Sequence, residues 1–545
     1  MAMRRFYRFS QAVINLFWRV LFFLTLFFAV TSPNIILGDN NTFGTSTTML
    51  TTGLVIGLVV IAIANYAYPR AHAWLVRVFI TQRLRTGTIL LVMVLIGQIF
   101  FVYFVHPNSG FDSGMLLHTA TDPSSVLDPD ITSYFSLNQN NLPIMLFMHW
   151  ISTTFNQTTW EFFDFITLFF VDLSAICNLA SVWVLKKKAL GAAMYIQVGW
   201  LAVFPSIIMP YTDAWGLPLV SFYMLCYFVM RKSTIHSLIR ASAANGFGIT
   251  VMLTYFMKPS SIIPVIAIVI IEILMAMVNH KHLHMEALFI AFAMVLFVGR
   301  SGYETYQYVN HKVENQTYIQ IDKSRAIPAI HFAAMGVYGQ GGYSWWQAVE
   351  MTFLPTKQQK TDYSVMMLKK RLKKLGPVGY LKFLVMKQRN NTADGTFGWL
   401  KEGHFFLENQ KPNNKGITNK LKNFIYLYGR HIADFRFAAQ LWWITLLTII
   451  ALGFGPERRV IQILRLSMVG GFAFLLLFEG GRSRYIIQYL PILLLLATIS
   501  WDRAVANVMR LVNWYQAKLA AAIAADRPGE EPVKQDSVGS VKSVK

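Results

Sequence analysis

Charged side chains are scarce in this chain of 545 residues: Asp, Glu, Lys and Arg together make up 14% of it, against roughly 25% in a soluble globular protein. That shortage excludes an ordinary soluble fold. The apolar residues fall into repeated runs near twenty residues, the length at which a helix crosses the ~30 Å hydrocarbon core of a bilayer. Cysteine is almost absent. Cys177 and Cys226 both lie in apolar runs and read as small core residues, so no disulfide framework is implied. Also missing are a phosphate-binding P-loop, a Rossmann glycine fingerprint and a GxSxG nucleophile elbow, which leaves an ATP-driven mechanism unsupported. The string "GQGGYSWW" (339–346) is rich in glycine but follows no strand pattern and reads as a turn.

Basic residues outnumber acidic ones, 49 to 27, for a net charge of +22. In a soluble protein that excess would suggest nucleic acid. Between apolar runs it marks cytoplasmic loops and contact with anionic lipid, so the bilayer is the expected partner and nucleic acid is not. The N-terminus "MAMRRFYRFSQAVINLFWRVLFFLTLFFAV" lacks a small-residue cleavage site and reads as an uncleaved anchor.

The Lys/Arg bias of short loops gives an orientation. Arg4, Arg5 and Arg8 place the N-terminus inside; spans at about 13–31 and 49–68 lead to an inner basic segment with Arg70, Arg77, Arg83 and Arg85. A span at about 88–105 then delivers the segment 109–141 outside. That segment holds Asp112, Asp122, Asp128 and Asp130 and no Lys or Arg. The apolar stretch 142–155 is too short to cross and is expected as an outer juxtamembrane helix, which leaves Lys186, Lys187 and Lys188 inside. Continued to the end, the pattern predicts an all-α polytopic membrane protein of about twelve transmembrane helices with both termini cytoplasmic. Its expected parts are two extra N-terminal helices and an interfacial helix (1–87), a transmembrane core (88–300) whose first outer loop is 106–160, a long extracytoplasmic loop (301–437), C-terminal spans (438–501) and a cytoplasmic, partly disordered tail (502–545). The long loop is itself basic, but long domains translocate largely regardless of charge.

This threading brings Asp112, Asp213, Lys258, Glu479, Arg482 and Arg484 to the outer ends of spans. Charge at membrane depth is costly and marks sites or pathways. A carboxylate can deprotonate an acceptor hydroxyl, and lysine with two arginines can hold a phosphate as it leaves. Each residue also has a structural alternative. Asp112 and Asp213 would serve as helix caps, Lys258 would snorkel to headgroups, and one of Arg482 and Arg484 would pair only with Glu479. His118 and His149 show no metal-ligand spacing.

Taken in order, "GFDSGMLLHTA", "YFSLNQNNLP", "FPSIIMPYTDAWGLPLV", "YFMKPSSIIPVIAI", "HFAAMGVYGQGGY", "LGPVGYLKFL", "ADGTFGW" and "FEGGRSRYIIQYLPILLL" resemble the GT-C superfamily of integral-membrane glycosyltransferases. The similarity is to the family-39-like group (dolichyl-phosphate-mannose mannosyltransferase relatives) of Gram-positive bacteria, and it covers about 88–500. It implies a GT-C-like fold with outer juxtamembrane helices. It also implies a polyprenyl-phosphate-linked sugar as donor and an active site on the extracytoplasmic face of the cell membrane. Asp112 takes the position of the catalytic base and Asp213 that of the second outer-loop acid, orienting the acceptor or a divalent metal ion. Lys258, Arg482 and Arg484 take the positions that bind the carrier phosphate, with Glu479, Tyr211, Asn140 and Asn141 as further substrate-binding positions. The chain departs from the group where Asn138-Gln139 stands in place of Tyr-Pro, and where Ser-Trp-Trp-Gln follows "GGY" in place of acids; both places are expected to line an acceptor site.

The expected activity is transfer of a sugar to a cell-envelope acceptor such as teichoic acid, polysaccharide, glycolipid or protein. A lipid-linked glycan transporter or flippase, and a glycan polymerase or ligase, are the alternatives. The basic stretch with Lys369, Lys370, Arg371, Lys373 and Lys374 reads equally as a face for an anionic polymer or as a helix resting on anionic lipid.

Overall fold

The computed structural model describes residues 2–36, 39–40, 45–46, 49–279, 285–399, 406–407, 411–455 and 458–525. The tail expected to be disordered, from about 527, lies outside them. The regular structure of the described chain is helical, apart from a two-residue antiparallel pairing of Asp39–Asn40 with Thr45–Ser46 and an isolated antiparallel bridge between Ser109 and Phe406. In order, the helices are α1 (Ala2–Val30), α2 (Met49–Ala67), α3 (Pro69–Leu75), α4 (Arg83–Phe104), α5 (Phe111–Thr121), α6 (Pro129–Leu137), α7 (Leu142–Phe155), α8 (Trp160–Lys186), α9 (Leu190–Ala202) and α10 (Thr212–Trp215). They continue with α11 (Leu217–Arg231), α12 (Ser237–Met257), α13 (Ile263–Asn279), α14 (Met285–Glu314), α15 (Ala329–Met335), α16 (Trp345–Glu350), α17 (Lys357–Thr392), α18 (Gly416–Ile425), α19 (Ile432–Leu452), α20 (Arg459–Leu477) and α21 (Leu490–Ala525).

Ten helical stretches among the described residues are long and apolar enough to cross a membrane, so this is a polytopic all-α membrane protein. The expected count of twelve differs for two reasons. The stretch Trp160–Ala202 contains both α8 and α9, and α9, at 13 residues, reaches only about 20 Å at 1.5 Å per residue. Helix α12 is long enough, but its Ser, Arg, Asn and Gly content keeps it outside the ten. It runs from the Arg231 end of the bundle to Lys258 at the other and packs through small residues. A side chain at Gly248 would collide with the backbone of α14 at Val298, so glycine lets these two helices approach closely.

Helix α1, expected as an addition to the core, is built into it. Trp18, Phe22 and Ala29 are buried, and Asn15 accepts hydrogen bonds from Gln462 (3.3 Å) and Arg465 (2.9 Å) of α20. The 14-residue α7 packs on α5 without forming a span of its own. Between α14 and α19 the chain forms α15 to α18. Helix α17 is kinked where Gly376 leaves the helical region (φ 61°) before Pro377.

The charges expected inside gather at one end of the bundle. Arg83 and Lys186 pair with Asp502 at 3.6 and 2.6 Å. Arg231 and Arg459 each lie 3.7 Å from Glu272. The candidate site occupies the opposite end.

Candidate functional site

The acidic segment resolves into different local roles. Asp122 and Asp128 accept backbone hydrogen bonds from Ser124 and Asp130, and so cap short helical turns. Asp112 does not cap. The N-cap of α5 is Gly110, and Phe111 holds a positive φ of 52°, a costly conformation for a bulky residue. Within the first turn of α5, Oδ1 of Asp112 accepts a hydrogen bond from the Tyr134 hydroxyl (2.7 Å) and Oδ2 from that of Tyr211 (3.1 Å). Tyr134 is in turn held by Asn141 Nδ2 (2.7 Å), and Asn140 donates to Asn141 Oδ1 (3.1 Å). Asn140 and Asn141 therefore stand behind the tyrosine. Burial, and then the adjacent Asp112 charge, push both phenols well above their ordinary range, so they stay protonated donors.

Asp213 lies in the first turn of α10 without capping it. Its Oδ1 is ion-paired with Lys258 Nζ, and its Oδ2 lies 3.3 Å from Arg484 Nε. The side chain of Asp213 is 6% exposed and that of Lys258 16%, so neither the capping nor the snorkelling alternative describes these residues. Arg484 continues to Asp112, with Nη2 3.9 Å from Oδ2, and its guanidinium faces the rings of Tyr211 and Tyr485 at 5.4 and 5.6 Å. Glu479 accepts a hydrogen bond from the Tyr485 hydroxyl. Burial lifts its carboxyl above the usual range, against the opposing pull of that hydroxyl and of Arg482, Arg484 and Lys258. The candidate catalytic and substrate-binding residues thus converge on one end of the bundle, brought there by α5, the turn before α7, the start of α10 with Tyr211 before it, the end of α12 and the segment before α21.

They border a cavity of about 730 Å³. Asp112, Arg482 and Arg484 line it directly; Phe111, Tyr134, Asn138, Gln340, Tyr343, Trp345 and Asn390 supply aromatic and amide surface, and among the described residues Asp112 is the sole acid of the lining. Asp213 and Lys258 are one layer back. Sequence reading passed over Tyr134, Gln340, Tyr343 and Asn390 as individuals, although the first three sit in strings that carried the family resemblance.

Two further residues build the wall. Lys387 is fully buried, and its ammonium donates to the carbonyl oxygens of Gly336 (2.7 Å), Leu476 (3.0 Å) and Phe478. It clasps the glycine-rich loop of 336–343 to the loop of 478–484, which are also joined by Gly480 N–H to Gly341 O (2.9 Å). Gly341 and Gly481 adopt φ of 84° and 73°, which favours glycine. A side chain on the first would strike Lys387, and one on the second the Gln340 carbonyl. Asp394 accepts from Asn34 of the turn after α1 (2.9 Å), from Thr396 and Gly398 backbone N–H groups (2.9 and 3.1 Å) and from Ser483 Oγ (3.3 Å). Neither residue stood out in sequence, because a lone lysine or aspartate in a long loop carries no spacing signal.

Among the described residues no cluster of three or more His, Cys, Asp and Glu is placed to share a metal ion. The two oxygens of Asp213 face Lys258 and Arg484, an environment that opposes a divalent cation at that carboxylate. His149 stacks on Tyr318 with ring centroids 3.8 Å apart and lies 2.9 Å from the Ala120 carbonyl, a structural role.

The helices and the buried polar pocket define an integral membrane protein with a charged cavity at one end of its bundle. Compared with known families, the chain belongs to the family described as conserved hypothetical integral membrane protein, matched over residues 6–505. That match takes in both N-terminal helices, which the sequence resemblance left aside. No curated protein and no solved structure matches the chain.

Proposed function

We propose that the protein is a membrane glycosyltransferase of GT-C-like type. It would take a sugar from a polyprenyl-phosphate carrier and place it on a cell-envelope acceptor at the extracytoplasmic face. The observation that carries this reading is the shared wall of one cavity, where the carboxylate of Asp112 stands beside two arginines, Arg482 and Arg484. In this mechanism Asp112 removes the proton from an acceptor hydroxyl. The acceptor oxygen bonds to the anomeric carbon while the bond from that carbon to the phosphate oxygen breaks. The electron pair leaves with the phosphate, whose added charge Arg482 and Arg484 stabilise. Tyr134 and Tyr211 fix the carboxylate. Lys258 and Asp213, placed from sequence in the phosphate and acceptor sites, serve here as a buried pair that orients Arg484. Asn138, Gln340, Asn390, Tyr343 and Trp345 offer the amides and ring faces that suit sugar hydroxyls and C–H surfaces.

The test is turnover by purified protein given carrier-linked sugar and an envelope acceptor, followed as glycosylated product. Wild type should form product and Asp112→Asn should not, at equal folded protein. Movement of the lipid-linked glycan across the bilayer without product would instead identify a flippase, and growth of a chain on the carrier a polymerase.

A further inference from the structure

Helix α17 runs from a cationic half to an apolar half across its kink. Between Asp362 and Asp394 the chain has no acid. Lys369, Lys370, Lys373 and Lys374 before the kink, and Lys382 after it, are exposed, and none has an acidic partner among the described residues. Beyond Pro377, Val378, Leu381 and Val385 fall at i, i+3 and i+7, one helical face. That face is bare: Val378 is 68% and Leu381 63% exposed. Among the described residues no other element covers it, in a helix whose opposite side buries Lys387.

The depth of this face is set by its neighbours. Gln388 donates to Thr25 Oγ1 of α1 at 2.9 Å, and Lys387 binds the carbonyls at the end of α20. Both α1 and α20 are membrane-spanning by length and composition. Val378 lies ten residues before Gln388, within about 15 Å of it at 1.5 Å per residue. The bare apolar face therefore lies within about 15 Å of the ends of two spans. Helix α16 adds a second sign. Its Gln347 is bonded to Arg371 (3.1 Å), and the adjacent Trp346 is 78% exposed, as tryptophans of an interfacial belt are.

We propose that α17 is a lipid-docking surface for anionic phospholipid. Its lysines bind headgroup phosphates while Val378, Leu381 and Val385 enter the acyl boundary. A surface of lysines alone would suit any polyanion. A basic row that runs directly into a bare apolar face suits a lipid, which offers both chemistries to one helix. The inference stands apart from the sugar-transfer reading and does not use it.

The test places an environment-sensitive dye on Leu381→Cys, and separately on Val378→Cys, in the full chain reconstituted into bilayers. Cys177 and Cys226 are buried and leave the added thiol as the accessible one. The expected result is blue-shifted emission, quenched by lipid-borne nitroxide and protected from aqueous iodide. Both effects should strengthen when phosphatidylglycerol is added to phosphatidylcholine. Replacing Lys369, Lys370, Lys373 and Lys374 by Gln should abolish that increment. Iodide quenching at both positions as strong as that of a dye on Lys357→Cys would overturn the proposal. So would a phosphatidylglycerol effect that survives the lysine replacements, or a dye response to soluble poly(glycerol phosphate) with none to phosphatidylglycerol; the last would assign the surface to an anionic polymer.

Discussion

Arg484 and Asp213, both largely buried, meet at 3.3 Å, although they come from the last and the middle thirds of the chain. Lys258 neutralises the other oxygen of the same carboxylate. Removing one partner of such a group leaves a buried charge uncompensated, at a cost of roughly 3–5 kcal/mol. Asp213→Asn and Lys258→Met should each lower thermal stability in detergent markedly. The double variant should recover part of the loss, because it removes the pair together. A double-mutant cycle of unfolding midpoints measures this, and strict additivity would contradict the pairing.

Asp112 is the group on which the chemistry is proposed to turn. General base catalysis contributes about 10²–10⁴-fold, so Asp112→Asn should lower transfer by that order without changing the unfolding midpoint by more than a few degrees. Tyr134→Phe removes one hydrogen bond to the carboxylate. It should leave measurable activity, because the Tyr211 hydroxyl still holds the other carboxylate oxygen. Initial rates for wild type, Tyr134→Phe and Asp112→Asn check the order.

The clasp at Lys387 predicts a pH dependence of stability. Burial, opposed by the charge of Glu479, pulls its ammonium from the ordinary 10.5 to about 7. Between these values the unfolded chain holds a proton that the folded chain has released, so this group makes stability rise as pH is raised from about 7 towards 10.5. Lys387→Met removes that contribution. Unfolding midpoints recorded across this range should climb for wild type relative to the variant; parallel curves would show that Lys387 keeps its ordinary titration.

The two loops held by that lysine depend on glycine at strained positions. Gly341→Ala and Gly481→Ala each place a methyl group at positive φ and against a fixed neighbour. Each should cost about 1–3 kcal/mol. Gly339→Ala, at a φ of 57° in open space, carries the backbone strain without the collision and should cost less. Thermal unfolding of the three variants ranks them.

Membrane class and helix content were legible in sequence because they rest on run length and charge content, which are local. Orientation was legible as a grouping: the basic residues read as inner, Arg83, Lys186, Arg231 and Arg459, do share one end of the bundle. Span number was less so, since α9 is too short and α12 too polar to obey a length-and-hydropathy rule. Among site residues, charge at the ends of apolar runs pointed to Asp112, Asp213, Lys258, Glu479, Arg482 and Arg484. What each touches could not be read, because Asp112 and Asp213 fit the pattern of helix caps as well as that of a site. Tyr134, Lys387 and Asp394 were invisible as individuals, being common residue types with no spacing to mark them.

The amino-acid order by itself determined that this protein lives in a bilayer, that its helices run through it, and that a handful of ionisable groups are kept at one end. All three follow from the cost of moving charge and bare peptide into hydrocarbon, which each segment meets on its own. Only the tertiary structure decided that Asp213 is shared between Lys258 and Arg484, that Asp112 is held by two tyrosines at a cavity wall, and that α1 belongs to the core. Those outcomes depend on which helices pack together, and a hydrogen bond between residues hundreds of positions apart leaves no periodic trace in the chain.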